Sequence, residues 1–350
     1  MYKLHIKSKV KKYDLNFTDQ FKKKLQKYST GTYYIIDEKV YDIFILKKII
    51  KKNFILIKAS EKAKEYNYIS KIIDKLIRLN ISKKDKIVSI GGGITQDITS
   101  FIAMILFRGV DWHFFPTTLL AMGDSCIGSK LSVNFNNLKN QIGGYYPPSK
   151  IIIDISFLET LSEKEIYSGV GELCHYYFVS GRKDFIFFKN NLSSIFNRNK
   201  EKTKKIIFKT LQIKKKFIEK DEFDTAFRLI LNYGHTFGHA IESYFNYKIS
   251  HGIAVCIGMN ISNYISYKKK YITNIEFKEM ETVLLSIKKD LGIKKIRLVS
   301  YINILLKDKK VIGGMSRIIL TKGLGKMFIK DIYLDNNFKI LLKKYKDTYN

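Results

Sequence analysis

Short apolar runs alternate with helix-period patterns through the first 160 residues of the chain. β-Branched and aromatic residues fill positions 33–37, 54–58 and 87–90, which predicts three strands. Between the second and third, residues 61–79 carry Tyr68, Ile69, Ile72, Ile73, Leu76 and Ile77 at helical spacing. Strand, helix and strand, followed by Gly91-Gly92-Gly93, read as a βαβ unit. Residues 98–106 suit a buried helix, 112–115 a short strand ended by Pro116, and 151–155 a further buried strand, so a Rossmann-like parallel-sheet domain is expected over residues 1–160. Beyond residue 161 strands become rare. Residues 164–179, 184–196 and 200–218 have helical periods, and a mainly α-helical domain is expected over 161–350.

Composition supports this division. A length of 350 residues suits two domains, and 45% hydrophobic with 14% aromatic residues excludes a disordered or low-complexity chain. The net charge of +31 raises nucleic acid or an anionic membrane as partners. Its distribution argues against both: residues 91–160 hold four basic and five acidic side chains, so the whole excess lies elsewhere, on lysine-rich helix faces without a binding motif. Cys126, Cys174 and Cys256 are far apart and form no CxxC pair, which excludes a disulfide framework and a cysteine zinc site and fits a reducing compartment. The N-terminus lacks a signal-peptide core, and no run approaches the roughly 18 apolar residues of a membrane span. A cytoplasmic protein is expected.

Candidate chemistry concentrates in four places. Gly91-Gly92-Gly93 ends a strand and opens a helix with Asp97 in its first turn, where backbone N–H groups can receive a pyrophosphate; a tight strand-to-helix turn also needs glycine without any ligand. His235 and His239 are four residues apart on one helix face and His251 follows, so three of the six histidines fall within 235–251 and can serve a divalent ion. Glu172, among apolar neighbours, can supply the oxygen ligand or pair with a lysine. Residues 116–140 place Lys130 and Lys139 sparsely among small and apolar residues, as contacts to a phosphorylated substrate or as a surface loop.

At these residues the chain resembles the dehydroquinate synthase family of sugar phosphate cyclases. The resemblance runs from about Tyr33 to Gly325 and rests on Gly91-Gly92-Gly93 with Asp97, Arg108-Gly109, Pro116-Thr117-Thr118, Asp124 with Lys130, Lys139-Asn140, Glu172, Arg228 before Asn232, Gly234 to Glu242, His251-Gly252, and Asp308 to Val311. It implies conversion of 3-deoxy-arabino-heptulosonate 7-phosphate to 3-dehydroquinate and phosphate, in which a held NAD oxidises a hydroxyl, phosphate is eliminated, the ketone is reduced back with regeneration of the NAD, and the ring closes by an intramolecular aldol step. Asp37, Glu61, Lys64, Gly92, Gly93, Asp97, Thr117, Thr118, Phe157 and Thr160 would line the NAD site. Glu172, His235 and His251 would hold zinc or cobalt. Lys130, Lys139, Asn140, His239 and Lys309 or Lys310 would surround the phosphate, and Arg108 would reach the phosphate of a partner subunit, implying a homodimer. Lys214 and Arg228 would grip the carboxylate, while Asp124 and Asn232 contact ring hydroxyls. Asp124, Lys130 and Lys139 count with the cofactor as well.

The chain departs from the family pattern in places. His175 stands where the family has a lysine that binds substrate hydroxyls, Gln96 and Ser129 replace glycines, and Leu131-Ser132 replaces Thr-Gly. Imidazole is shorter and offers fewer donors, so the same heptulosonate is held less strongly or a different sugar phosphate is read. The rival readings are a specialised cyclase paralogue making another cyclitol, a metal-dependent polyol dehydrogenase of the glycerol dehydrogenase type, and a basic binding protein on a retired scaffold. The carboxylate and phosphate contacts favour the dehydroquinate-forming reaction.

Overall fold

The structure, a computed structural model, describes residues 2–287, 296–306, 311–312 and 314–349. It divides into two compact units, Met1–Leu161 with Thr203–Thr225, and Ser162–Lys202 with Ala226–Asn350. Residues 203–225, expected with the helical part, therefore cluster with the first unit. The apolar face of the helix Lys200–Lys220 buries Ile206, Ile207, Leu211 and Ile218. Phe208, on the same helix, meets the rings of Tyr2 and Phe17 at 4.7 and 6.1 Å. Periodicity announces that a helix buries one face, but not which neighbour receives it.

The first unit is built on β1 (Lys3–Ile6), β2 (Tyr13–Thr18), β3 (Thr32–Asp37), β4 (Phe54–Ile57), β5 (Lys86–Gly91), β6 (Asp111–Pro116), β7 (Lys130–Phe135), β8 (Leu138–Tyr145) and β9 (Lys150–Asp154). Seven of these form one sheet in the order β1-β2-β9-β6-β5-β3-β4, parallel except for the β1–β2 pair. The five strands expected from apolar runs are β3, β4, β5, β6 and β9. Strands such as β5 and β9 are buried along most of their length, which is why they lack alternation. The pair β1–β2 was not foreseen, being short and lysine-flanked. Nor was the antiparallel hairpin β7–β8, although Asn136-Asn137 between Phe135 and Leu138 carries its signal: both have positive φ, 51° and 62°, as a two-residue primed turn requires.

The second unit adds β10 (Val311–Ile312), β11 (Met315–Thr321) and β12 (Met327–Tyr333), a small antiparallel sheet that the helical expectation omitted. Its centre is the helix His251–Lys268, buried without interruption from Gly252 to Ser266. Against it pack the helices Glu163–Ser180 and His235–Tyr244. The first opens on a capping box in which the Ser162 side chain receives Glu165 N–H and the Glu165 side chain receives Ser162 N–H. Gly181, at φ 111°, ends it. Among the described residues no helix is long and apolar enough to cross a membrane.

Glycines set the distance between these three helices. A Cβ on Gly252 would lie 1.8 Å from Ser168 O, and one on Gly171 would lie 2.2 Å from Gly252 O. A Cβ on Gly258 would lie 1.9 Å from Gly234 O. No side chain can be inserted at these crossings without moving backbone against backbone. Gly252→Ala is therefore expected to lower stability by about 1–3 kcal/mol, the usual range for overpacking. Gly93→Ala, whose added methyl comes no nearer than 3.7 Å to Ser125 Oγ, should be close to neutral. Urea denaturation of the two variants checks this; equal midpoints would show that the helix crossings tolerate expansion.

Candidate functional site

In the first unit the carboxyl ends of three neighbouring parallel strands come together. Ile36 pairs with Ile90 and Gly91 with Pro116, so Asp37, Gly91-Gly92-Gly93 and Thr117-Thr118 share one edge of the sheet. Ligands of open α/β sheets bind at this edge. Gly92 caps the helix Gly93–Ile105, and a Cβ there would meet Thr118 Cγ2 at 3.0 Å. Asp37 is used in part as a cap, accepting the Lys39 N–H.

Beside this turn lies a connected polar group. Buried Lys64 pairs with Asp97 at 2.7 Å and donates to Asn140 Oδ1 at 3.1 Å. Ser132 Oγ donates to the same oxygen at 2.8 Å. Lys139 faces Glu61 at 3.6 Å, and Asn134 ties Glu61 to the hairpin. Burial pushes the Asp97 carboxyl up, against the lowering effect of Lys64. Phe157 differs: its ring is buried against Phe21 at 4.4 Å and Phe44 at 4.8 Å, so its side chain belongs to the core. Thr160 is exposed at the end of the same turn, its hydroxyl donating to Phe157 O.

The lysines expected at substrate anions are held by acids. Lys214 Nζ donates to both the carboxylate and the carbonyl of Asp124, each at 2.7 Å. Lys130 pairs with Asp224, a partner that motif reading missed. Arg108 is exposed in a left-handed stretch, Phe107 at φ 49° and Arg108 at φ 60°, ahead of Gly109 at φ 107°. Lys309 and Lys310 lie outside the described residues.

In the second unit the separated ligand candidates converge. Glu172 Oε1 is 3.6 Å from His235 Nε2, and Oε2 is 3.2 Å from His251 Nε2. The three groups can offer ligand atoms within 4.8 Å of one another. Metal bonds of 2.0–2.2 Å in tetrahedral array would separate ligand atoms by about 3.4 Å. Each imidazole is turned by its other nitrogen: His251 Nδ1 lies 3.1 Å from Glu242 Oε2, and His235 Nδ1 lies 3.3 Å from Tyr233 O. These supports aim both Nε2 atoms at Glu172, the arrangement that ligating histidines require. Glu172 Oε2 is buried and makes no hydrogen bond of normal geometry. This orphaned oxygen, on a carboxylate that lies between two imidazoles, fits a divalent cation.

Charge agrees with geometry. Burial would raise the Glu172 carboxyl, but the neighbouring imidazoles of His235, His175 and His251 hold it well below the usual carboxylate range. Burial would likewise lower His251, yet Glu172 and Glu242 hold it well above the ordinary histidine value. Protons on imidazole thus compensate a buried carboxylate, and a cation can take their place. His239, Glu242 and His251 form an overlapping group, but His239 is exposed and Glu242 already orients His251. Glu242 was missed although it stands three residues after His239. Arg228 is buried in the turn Phe227–Asn232, and Asn232 Nδ2 donates to Leu229 O at 3.0 Å.

An α/β unit with a glycine turn at its strand ends, followed by a helical unit, is a fold this chain shares with solved synthases that carry NAD+ and a divalent metal. A 2-deoxy-scyllo-inosose synthase solved with carbaglucose-6-phosphate, NAD+ and Co2+ shares this fold at a TM-score of 0.87 and 23% identity, covering 98% of this chain and 99% of that one. The 2-epi-5-epi-valiolone synthase of Streptomyces hygroscopicus, solved with NAD+ and Zn2+, does so at 0.84 and 21%, over 97% of both chains. A probable glycerol dehydrogenase of Sinorhizobium meliloti reaches only 0.61 at 12% identity, over 95% of this chain and 96% of that one. Residues 54–168 match the N-terminal and 169–311 the C-terminal domain of 3-dehydroquinate synthase. The 3-dehydroquinate synthase of Dictyoglomus thermophilum is 37% identical over 94% of both chains, and that of Buchnera aphidicola 36% over 80% of this chain and 77% of its own. The chain belongs to the 3-dehydroquinate synthase family.

The converging ligands give a direct expectation. Purified protein should take up about one zinc per chain, and His235→Ala should lose it, as follows from removing one of three protein ligands. Elemental analysis after dialysis is the measurement, and undiminished metal in the variant would remove His235 from the set.

Proposed function

We propose that the chain is a 3-dehydroquinate synthase, a phosphate lyase that converts 3-deoxy-arabino-heptulosonate 7-phosphate to 3-dehydroquinate and inorganic phosphate. The observation that carries the reading is the meeting of Glu172, His235 and His251 from three helices, in a chain whose two halves match the two domains of this family. NAD, when bound, supplies a hydride acceptor that returns its hydride within the same turnover. A zinc or cobalt ion, when bound by Glu172, His235 and His251, supplies Lewis-acid polarisation of a substrate hydroxyl.

The chain's own residues supply binding and orientation. In the first unit, Gly92 and Gly93 leave the helix N-terminus open to a pyrophosphate, and Asp97, kept in place by Lys64, borders the same turn. Asp37, Glu61, Thr117, Thr118 and Thr160 belong to this cofactor surface. Lys130, Lys139 and Asn140 are the phosphate contacts of this unit, and Lys214 and Asp124, which hold each other, are its groups for the carboxylate and a ring hydroxyl. In the second unit, Arg228 presents a planar guanidinium fork suited to a carboxylate, Asn232 serves a hydroxyl, and exposed His239 serves the phosphate. The carboxylate contacts favour an acidic substrate over neutral sugar phosphates.

The exposed, left-handed setting of Arg108 supports its action on the phosphate of a partner subunit, hence a homodimer. Three buried free cysteines suit the cytoplasm.

Phosphate release from the heptulosonate, measured with catalytic rather than stoichiometric NAD, tests the whole reading. A rate no better with enzyme than without it would reject it. Arg228→Lys keeps the charge but loses the fork, so kcat/KM for the acid should fall by the equivalent of about 2–5 kcal/mol. Comparison with neutral sedoheptulose 7-phosphate checks the assignment: equal or better turnover of the neutral sugar by the unaltered enzyme would move the substrate elsewhere in the cyclases.

A further inference from the structure

We infer that His175 is a positioning residue for the metal-ligating carboxylate of Glu172 and does not contact substrate. The inference rests on the metal reading given above. The helix Glu163–Ser180 carries Glu172 and His175 one turn apart on the same face. His175 Nδ1 lies 3.5 Å from Glu172 Oε1, the same oxygen that faces His235 Nε2 at 3.6 Å. The other oxygen turns to His251.

Exposure separates the two roles. The His175 side chain is 1% exposed, whereas those of His235 and His251 are 12% and 31% exposed. Its ring is enclosed by Tyr176, 4.0 Å away between centroids, and meets His235 edge-on at 5.3 Å. A ring shut in this way is closed off from a sugar hydroxyl, whereas its Nδ1 faces the carboxylate at 3.5 Å.

The pattern across the cluster points the same way. His251 is oriented by Glu242 and His235 by the carbonyl of Tyr233. Glu172 is the third ligand, and His175 is placed to be its support. A neutral imidazole with its proton on Nδ1, 3.5 Å from Oε1, needs only a small closure of that distance to donate to it and restrain the carboxylate, so no change of protonation is required. Loss of such outer supports commonly weakens metal affinity 10–100-fold.

The test is zinc affinity, read by chelator competition on the full chain. His175→Phe fills the space without a donor and should bind zinc 10–100-fold more weakly. His175→Asn puts an amide N–H near the position of Nδ1 and should stay within a few-fold of the unaltered protein. Zinc-edge X-ray absorption should count two imidazoles in the unaltered and Asn forms alike. Thermal unfolding of the metal-free variants controls for folding; if the Phe form does not fold, His175→Leu replaces it. Unchanged zinc affinity in the donorless variant, with a raised KM for the heptulosonate, would return His175 to the substrate and overturn the inference. Three imidazoles on the metal would overturn it too, by making His175 a ligand. An unaltered protein that takes up no zinc would overturn the metal reading itself, and this inference with it.

Discussion

Three helices of the second unit can bring Glu172, His235 and His251 together only because their backbones touch. At Gly171 and Gly252 the helices Glu163–Ser180 and His251–Lys268 approach until a single methyl would sit 1.8–2.2 Å from a carbonyl oxygen. At Gly234 and Gly258 the helix His235–Tyr244 is drawn in the same way. Gly234 adds a left-handed φ of 83°, which turns the chain into the helix with His235 as its first residue. Glu172 and His251 each stand one residue from a crossing glycine. The packing contact and the ligand contact are therefore one constraint, and the chemistry inherits its precision from the rigid crossing.

Around that crossing, charge is arranged so that each candidate ligand faces a group that can orient it. A buried carboxylate is tolerated because imidazoles surround it, and each imidazole is turned by a carboxylate or a carbonyl. The first unit follows the same logic with lysines. Lys64, Lys130 and Lys214 are each engaged by an aspartate, so their long side chains are already confined. Restraint of this kind reduces the entropy lost on binding.

The strong overall basicity has no part in this. Between residues 91 and 160 the chain is close to neutral, and Lys130 and Lys139 there have individual partners. The surplus sits on helix faces such as that of Lys200–Lys220, where lysines alternate with a buried apolar face. The candidate site thus rests on a few placed charges, and net charge is a poor guide to it.

By itself the sequence determined the strands β3, β4, β5, β6 and β9, the main helices of 163–220, and the candidate ligands, because apolar period, glycine placement and histidine spacing are local signals. The Asn136-Asn137 hairpin and Glu242 were also legible, having local signals of turn and spacing. Only the tertiary structure decided the rest. That Phe157 belongs to the core, that Lys214 and Lys130 are held by Asp124 and Asp224, and that residues 203–225 pack in the first unit all depend on partners distant in the chain. So does the setting of His175: its position three residues after Glu172 put the two on one helix face, but only the packing of neighbouring helices enclosed its ring and left it facing the carboxylate. Sequence spacing fixes which side of a helix a residue occupies, whereas burial and the choice of partner are set by whatever element the fold brings against that side.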